Sequence, residues 1–194
     1  MKSDAEKPPL SLPPAFVKTL AAIDEIGIAA GWAAAACLLA LTVLIAGEVI
    51  LRALSNVISA VPGTIPIAWE YSSYLMGAAF MFGMATTLRN GAHIRVSIMI
   101  AALSPTAVRN LEIVATLIGV AASAFLAFSL WGFAIDSFVR GEVSTASASP
   151  IWLPKMAIAL GATVFALQMA ARLARAIAKL PPDRSADKTQ TQEQ

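Results

Sequence analysis

The chain has few of the residues that build catalytic, metal or disulfide sites. Among 194 residues there is one cysteine, Cys37, and one histidine, His93. A single cysteine excludes a disulfide within the chain, and a lone histidine forms no Cys/His cluster with metal-ligand spacing. The sequence also lacks a phosphate-binding glycine loop, a Ser/His/Asp arrangement and paired carboxylates inside its apolar stretches. We therefore predict that the chain is not an enzyme and binds no cofactor.

Charge is scarce as well. Charged residues make up 13% of the chain and hydrophobic residues 58%, whereas soluble domains have about 25% and about 45–50%. Because roughly 20 apolar residues rising ~1.5 Å each cross a ~30 Å hydrocarbon core, four uncharged runs predict an all-α integral membrane protein with four transmembrane helices. Those runs are Ile26–Gly47, Tyr71–Leu88, Ile113–Ile135 and Met156–Ala171, the last extended to residue 151 past a snorkelling Lys155. The predicted spans cover about 24–50, 67–88, 107–137 and 151–177.

Two other fold classes fit the sequence less well. Buried core helices of a soluble protein would leave too little polar sequence to cover a soluble surface. A membrane β-barrel requires alternating apolar and polar residues, but these runs are rich in alanine and leucine and do not alternate.

The basic residues are distributed unevenly between the loops. Grouping alternate loops places 11 of the 14 Lys and Arg on one side and three, Arg52, Arg140 and Lys155, on the other. Basic loops stay in the cytoplasm, so both termini are predicted to be cytoplasmic. We predict disordered tails at 1–14 and 181–194 and a membrane domain at 15–180.

Short amphipathic segments are predicted beside the spans. Residues 15–25 mix apolar and charged side chains, which indicates either a short interfacial helix or a simple extension of the first span. A second partly apolar segment, from Ile94 to Leu103, is predicted to lie on the membrane.

Small residues recur at four-residue spacing, as they do where helix backbones approach closely in lipid. The rows are Gly27, Gly31 and Ala35; Ala115, Gly119, Ser123 and Ala127; Ala157 and Gly161; and Ala170, Ala174 and Ala178. They favour a protein whose helices pack against other helices.

The charged residues near the spans lie at span ends. Glu48 and Arg52 are four residues apart and can pair on one helix face, and Glu70 opens the second span on the same side. This pattern indicates either a polar cluster at a subunit interface or ordinary charges at helix ends.

Three segments resemble one known family, the small permease subunit (DctQ-like) of tripartite ATP-independent periplasmic (TRAP) transporters. The first is Glu48–Arg52, followed by a Pro/Gly loop and Trp69-Glu70. The second is the basic loop from Leu88 to Val96, and the third runs from Gly141-Glu142 to Pro150-Ile151-Trp152-Leu153-Pro154, with Gly161 and Gln168 beyond it. Two positions differ from the family pattern: Ser97 stands where Asp is frequent, and Ser55-Asn56-Val57 where Asn-Arg-Pro is frequent.

The resemblance implies a four-helix subunit of the bacterial inner membrane that scaffolds a large permease subunit. That subunit would carry the sodium site, and a periplasmic binding protein would deliver an organic acid. Spans rich in small residues would pack on the large subunit, loops 53–68 and 140–150 would face the binding protein, and no nucleic acid is expected. By the same resemblance, candidate interface residues are Glu48, Arg52, Trp69, Glu70, Arg140 and Trp152, with Arg89, His93 and Arg95 on the cytoplasmic side against membrane lipids.

Two functional alternatives stay open from the residues alone. The chain could anchor a haem or quinone redox complex, which would predict absorbance near the Soret band, although the sole histidine lies in a loop. It could also be a small autonomous transporter acting as a homodimer, which would predict transport by this chain alone.

Overall fold

A computed structural model describes residues 13–58, 62–89, 105–178 and 180. Four helices occur in this part of the chain: α1 (Pro14–Ser55), α2 (Ala68–Arg89), α3 (Pro105–Val139) and α4 (Trp152–Ala178). The sole strand-like pairing among these residues is an isolated antiparallel bridge between Val143 and Pro150. The all-α prediction is therefore confirmed for the described residues.

Three of the described helices are long and apolar enough to cross a membrane: α1, α3 and α4. Helix α2 has 22 residues, which is a sufficient length, but its first turns hold Glu70, Ser72 and Ser73 and its end holds Thr86 and Thr87. These polar side chains make α2 less apolar than the others. A fourth span therefore stays a prediction, as do the positions of the termini.

Helix α1 runs without interruption for 42 residues, a length of ~63 Å, about twice the hydrocarbon thickness. Pro14 occupies the first turn, where its missing N–H costs no hydrogen bond. Residues 15–25 are the first turns of this helix, so no separate interfacial helix is present there. The second proposed amphipathic segment, from Ile94 to Leu103, lies outside the described residues.

The helices are neighbours in the order α1, α2, α4, α3, and α1 also touches α4. The core between them is built largely from alanine, with Ala30, Ala85 and Leu88 packed around Phe165. Alanine keeps the helix axes close together, because it adds little volume between the backbones.

The glycines of the small-residue rows contact this chain's own helices. Gly31 faces Thr86, Gly119 faces Met169, and Gly161 lies against Met81 and the backbone of Phe82. These glycines therefore pack within the bundle, and the helix faces that would meet a large subunit stay a prediction.

Polar side chains join two pairs of neighbouring helices. The Thr86 hydroxyl donates to the Gly27 carbonyl (2.8 Å) and links α2 to α1. Trp131 donates through Nε1 to the Thr163 hydroxyl (3.0 Å) and links α3 to α4. Such bonds between membrane helices contribute about 0.6 kcal/mol each on average. They therefore add little stability, and their main effect is to align each helix with its neighbour.

Candidate functional site

The bundle has two polar ends. The loop end is where α1 and α3 finish and α2 and α4 begin, and the terminal end is where α1 and α3 begin and α2 and α4 finish. Six of the nine residues predicted from the sequence lie at the loop end. They are Glu48, Arg52, Trp69, Glu70, Arg140 and Trp152.

Glu48 joins α1 to the segment that leads into α2. Its Oε1 accepts a hydrogen bond from Arg52 (3.3 Å) in the predicted i,i+4 geometry. Its Oε2 accepts from the backbone N–H of Ile65 at 2.6 Å. The carboxylate thus fixes the turn before α2, while the Arg52 side chain stays mostly exposed.

Glu70 lies on the other side of the loop end and is buried, with 7% of its surface exposed. Its Oε1 accepts from the Tyr74 hydroxyl, one helical turn later, at 2.7 Å. The hydroxyls of Ser144 and Ser147 lie beside the same carboxylate, although Oε2 makes no hydrogen bond of normal geometry with the described residues. Glu70 therefore faces the connection between α3 and α4 and not the Glu48–Arg52 pair.

That connection, residues 141–151, is called the serine loop here. At its base the Glu142 carboxylate accepts from Ser137 (2.7 Å) and from Lys155 (2.9 Å), which ties the end of α3 to the start of α4. The backbone turns sharply, because Gly141 and Ala148 both have left-handed φ angles of 62° and 52°. The hydrogen bond from Lys155, followed by that from Ser137, lowers the pKa of Glu142 below its usual 4.5.

This pKa shift predicts that the contacts of Glu142 at the base of the serine loop stabilise the fold in a pH-dependent way. Because the folded pKa lies below the unfolded one, the stabilisation is complete above about pH 4.5 and is lost as the pH falls through the folded pKa. Trp152 packs edge-on against Phe138 at 5.3 Å beside this site. To isolate Trp152, the other three tryptophans are replaced by Phe. The fluorescence emission of Trp152 should then change when the pH is lowered from about 6 to about 3. The same transition persisting in Glu142→Gln would contradict the assignment.

The remaining predicted residues are placed as follows. Arg140 pairs with Asp136 at 3.8 Å, with both side chains about two thirds exposed. Trp69 has 80% of its surface exposed. Arg89 ends α2, while His93 and Arg95 lie outside the described residues, so the predicted cytoplasmic grouping stays a prediction.

The terminal end holds a second set of polar contacts that sequence reasoning missed. Arg175 of α4 bonds to Asp24 of α1 at 2.7 Å, and both side chains are largely buried. Arg172 pairs with Glu112 of α3 at 3.1 Å. Gln168, which is 1% exposed, donates to the Ile23 carbonyl at 2.6 Å. Helix α4 is therefore the element to which α1 and α3 are fastened.

These contacts describe a helical bundle with polar contacts at both ends, and the chain also matches a known family. Residues 41–179 match the model of the tripartite ATP-independent periplasmic transporters, DctQ component. The chain belongs to this DctQ family. The match covers all of α2, α3 and α4, and it includes Glu48, Arg52, Glu70 and the serine loop. Neither the curated proteins nor the solved structures searched contain a match.

Membership of the DctQ family identifies a membrane component of a transport system and not an enzyme family. The predicted resemblance is confirmed, and the match favours a transporter subunit over an anchor of a redox complex. Among the described residues, no group of three or more His, Cys, Asp or Glu could hold a metal ion.

Proposed function

We propose that this chain is the small membrane subunit of a TRAP-type secondary transporter. It scaffolds the large permease subunit for sodium-driven uptake of an organic acid that a periplasmic binding protein delivers. The observation that carries the proposal is the DctQ match over residues 41–179. The sodium and substrate sites belong, in this proposal, to the large subunit.

The distribution of polar contacts supports a scaffolding role. The ion pairs among the described residues lie at the two ends, as Glu48–Arg52 does at one and Asp24–Arg175 at the other. The polar groups between them, such as Thr86 and Trp131, link helices to each other. Groups used in this way fix a single arrangement of the bundle.

The outer helices offer surface for a membrane partner. Large apolar side chains on α1 and α3 are exposed, including Trp32 at 76%, Phe125 at 73% and Phe128 at 80%. In water such a surface would mark an interaction site, whereas in a bilayer it faces lipid or another membrane protein. We propose that the large subunit covers part of it.

We propose four spans in the bacterial inner membrane, with both termini cytoplasmic and the loop end periplasmic. The excess of basic residues on the side of the termini supports this orientation. Glu48, Arg52, Trp69, Glu70, Arg140 and Trp152 then organise the periplasmic end. Arg89, His93 and Arg95 face the cytoplasmic leaflet, whose anionic lipids attract basic segments.

The first test is co-purification. We expect the tagged full-length chain, extracted from its native host in mild detergent, to bring down a membrane protein with many more spans at about one to one. Deletion of the chain should then abolish uptake of the organic acid by cells that retain the other subunits. Recovery of the chain alone, or together with a haem or flavin protein, would contradict the proposal.

A further inference from the structure

An open groove of about 580 Å³ lies between α1 and α2 in the half of the bundle nearest the loop end. Its volume falls within the range of small-molecule binding sites, about 300–1,000 Å³. The α1 wall is one face of the segment Ala36–Leu44, and the α2 side contributes Ile67, Tyr71 and Leu75. These side chains are alanine, aliphatic or aromatic, so a ligand that fits the groove must be largely hydrocarbon.

The groove cannot close by bringing the two helices together, because they are already joined beyond each of its ends. Towards the terminal end, the Thr86 hydroxyl of α2 donates to the Gly27 carbonyl of α1 at 2.8 Å. Towards the loop end, the Glu48 carboxylate of α1 accepts from the Ile65 backbone N–H at 2.6 Å. The space between these two contacts is therefore a fixed feature of the fold.

The α1 wall of the groove is not covered by this chain. The buried residues of α1 all lie at or before Ala34, whereas Leu39 and Val43 are 68% and 65% exposed. An apolar wall with nothing against it loses its dispersion contacts on that side. The groove is therefore filled by a molecule from outside the chain.

The depth of the groove matches one leaflet of a bilayer. The uncharged run of α1 extends from Ile26 to Gly47, so its midpoint lies near Ala36, where the groove begins. From Ala36 to Leu44 the helix rises ~12 Å, close to the ~15 Å that is half of a hydrocarbon core. A transmembrane helix of another protein would need a groove about twice as long. The length therefore favours a single acyl chain.

A cation and an aromatic residue lie near the groove on its loop side, at the level of a lipid headgroup. Arg52 follows Leu44 by eight residues, about two helical turns. Its side chain is 67% exposed, and among the described residues its guanidinium bonds to Glu48 alone. Because a guanidinium has five N–H donors, it can also bind a phosphate. Trp69, 80% exposed, is of a type enriched at membrane interfaces.

We propose that the groove between α1 and α2 binds one phospholipid from the leaflet at the loop end. One acyl chain lies along Ala36–Leu44, and the phosphate lies beside Arg52. The proposal goes beyond the scaffolding role, because it gives this chain a ligand of its own, and it rests on the proposed four spans. The lipid connects α1 to α2 where their own side chains leave a gap.

The test counts retained phospholipids by native mass spectrometry. The full-length chain, with any subunit that stays attached, is placed in vesicles of phosphatidylethanolamine and phosphatidylglycerol and extracted in mild detergent. Ala40→Phe fills the groove with a ring, and Ala124→Phe, at an exposed alanine of α3, is its matched control. Arg52→Gln removes the headgroup charge. Its control is Arg140→Gln, which removes a charge of similar exposure at the same end.

We expect the unchanged chain and Ala124→Phe to retain one phospholipid more than Ala40→Phe. Arg52→Gln should weaken retention about fivefold, the usual contribution of one basic residue near a lipid surface, and Arg140→Gln should leave it unchanged. Thermal unfolding of the same samples identifies any variant that does not fold. Val43→Phe fills the groove from a second position, so the expectation is still tested if Ala40→Phe is unstable.

Two results would overturn the proposal. Equal loss of lipid from Ala40→Phe and Ala124→Phe would show that lipid coats the helices without a defined site. A photoreactive amino acid in place of Ala40 that cross-links to a protein and not to lipid would show that a partner helix fills the groove.

A separate measurement tests the spans on which the proposal rests. In a Cys37→Ser chain, the cysteine of Leu75→Cys should resist a water-soluble maleimide in intact vesicles, because it lies in the bilayer. Rapid labelling would overturn the proposed span at α2. Resistance to labelling together with no retained phospholipid would leave the four spans intact and overturn the lipid site alone.

Discussion

Replacing Arg175 by Gln is expected to destabilise the bundle by about 3 kcal/mol, because it leaves a largely buried carboxylate without its guanidinium partner. The two atoms of this pair, Arg175 Nη2 and Asp24 Oδ1, are 2.7 Å apart, and the side chains are 6% and 14% exposed. Removing one partner of a buried ion pair costs about 3–5 kcal/mol. Both residues take part in further interactions, which places the expected cost at the lower end.

The matched control is Arg140→Gln. It removes the same charge from an ion pair that is longer, at 3.8 Å, and 69% and 68% exposed, so the expected cost is below about 1 kcal/mol. Both variants are compared by thermal unfolding of the full-length chain in one detergent at fixed ionic strength. Equal losses in the two variants would show that water or detergent already screens the Arg175–Asp24 pair.

A double replacement separates the two reasons why a single replacement destabilises the bundle: the unpaired buried charge and the lost geometry of the pair. In Asp24→Leu/Arg175→Met neither charge of this pair remains, and replacing a buried ion pair by apolar residues is often neutral or stabilising. We expect the double variant to recover most of the stability lost by either single variant. If it is as unstable as the sum of the two, the pair is needed for its specific geometry and not for charge balance.

Some of these features could be predicted from the sequence, because they are local. Uncharged runs located the four helices, and i,i+4 spacing predicted the Glu48–Arg52 bond. The same spacing would have predicted the bond between Glu70 and Tyr74. The nearness of Glu70 to the serine loop could not be predicted, because it depends on how α2 and the serine loop are placed in space.

The buried face of each helix could not be predicted from the sequence either. A soluble helix marks its buried side with apolar residues, but a membrane helix is apolar on every side, so that signal is missing. Asp24 and Arg175 are 151 positions apart in the chain. Nothing local distinguishes this pair from charges that simply end a span. The small-residue rows did mark close contacts, but they could not tell whether the neighbour was this chain or another.

One of those close contacts supports the second large effect. A Cβ added at Gly161 would lie 2.8 Å from Cβ of Met81 and 3.1 Å from the Met81 carbonyl carbon and the Phe82 nitrogen. These atoms belong to the backbone of α2 or sit directly on it, so they cannot move aside by changing a rotamer. Gly161→Val should therefore push α2 and α4 apart and cost about 3 kcal/mol, the upper end of the usual range for overpacking.

Two other glycines calibrate this prediction in the same thermal assay. At Gly119 the added Cβ would meet Cε of Met169 at 2.6 Å, the end of a flexible side chain, so Gly119→Val should cost less. At Gly132 nothing lies within 4 Å, and Gly132→Ala should be neutral or stabilising by up to about 1 kcal/mol, because alanine favours helix more than glycine does. The order of stability loss should be Gly161, then Gly119, then Gly132.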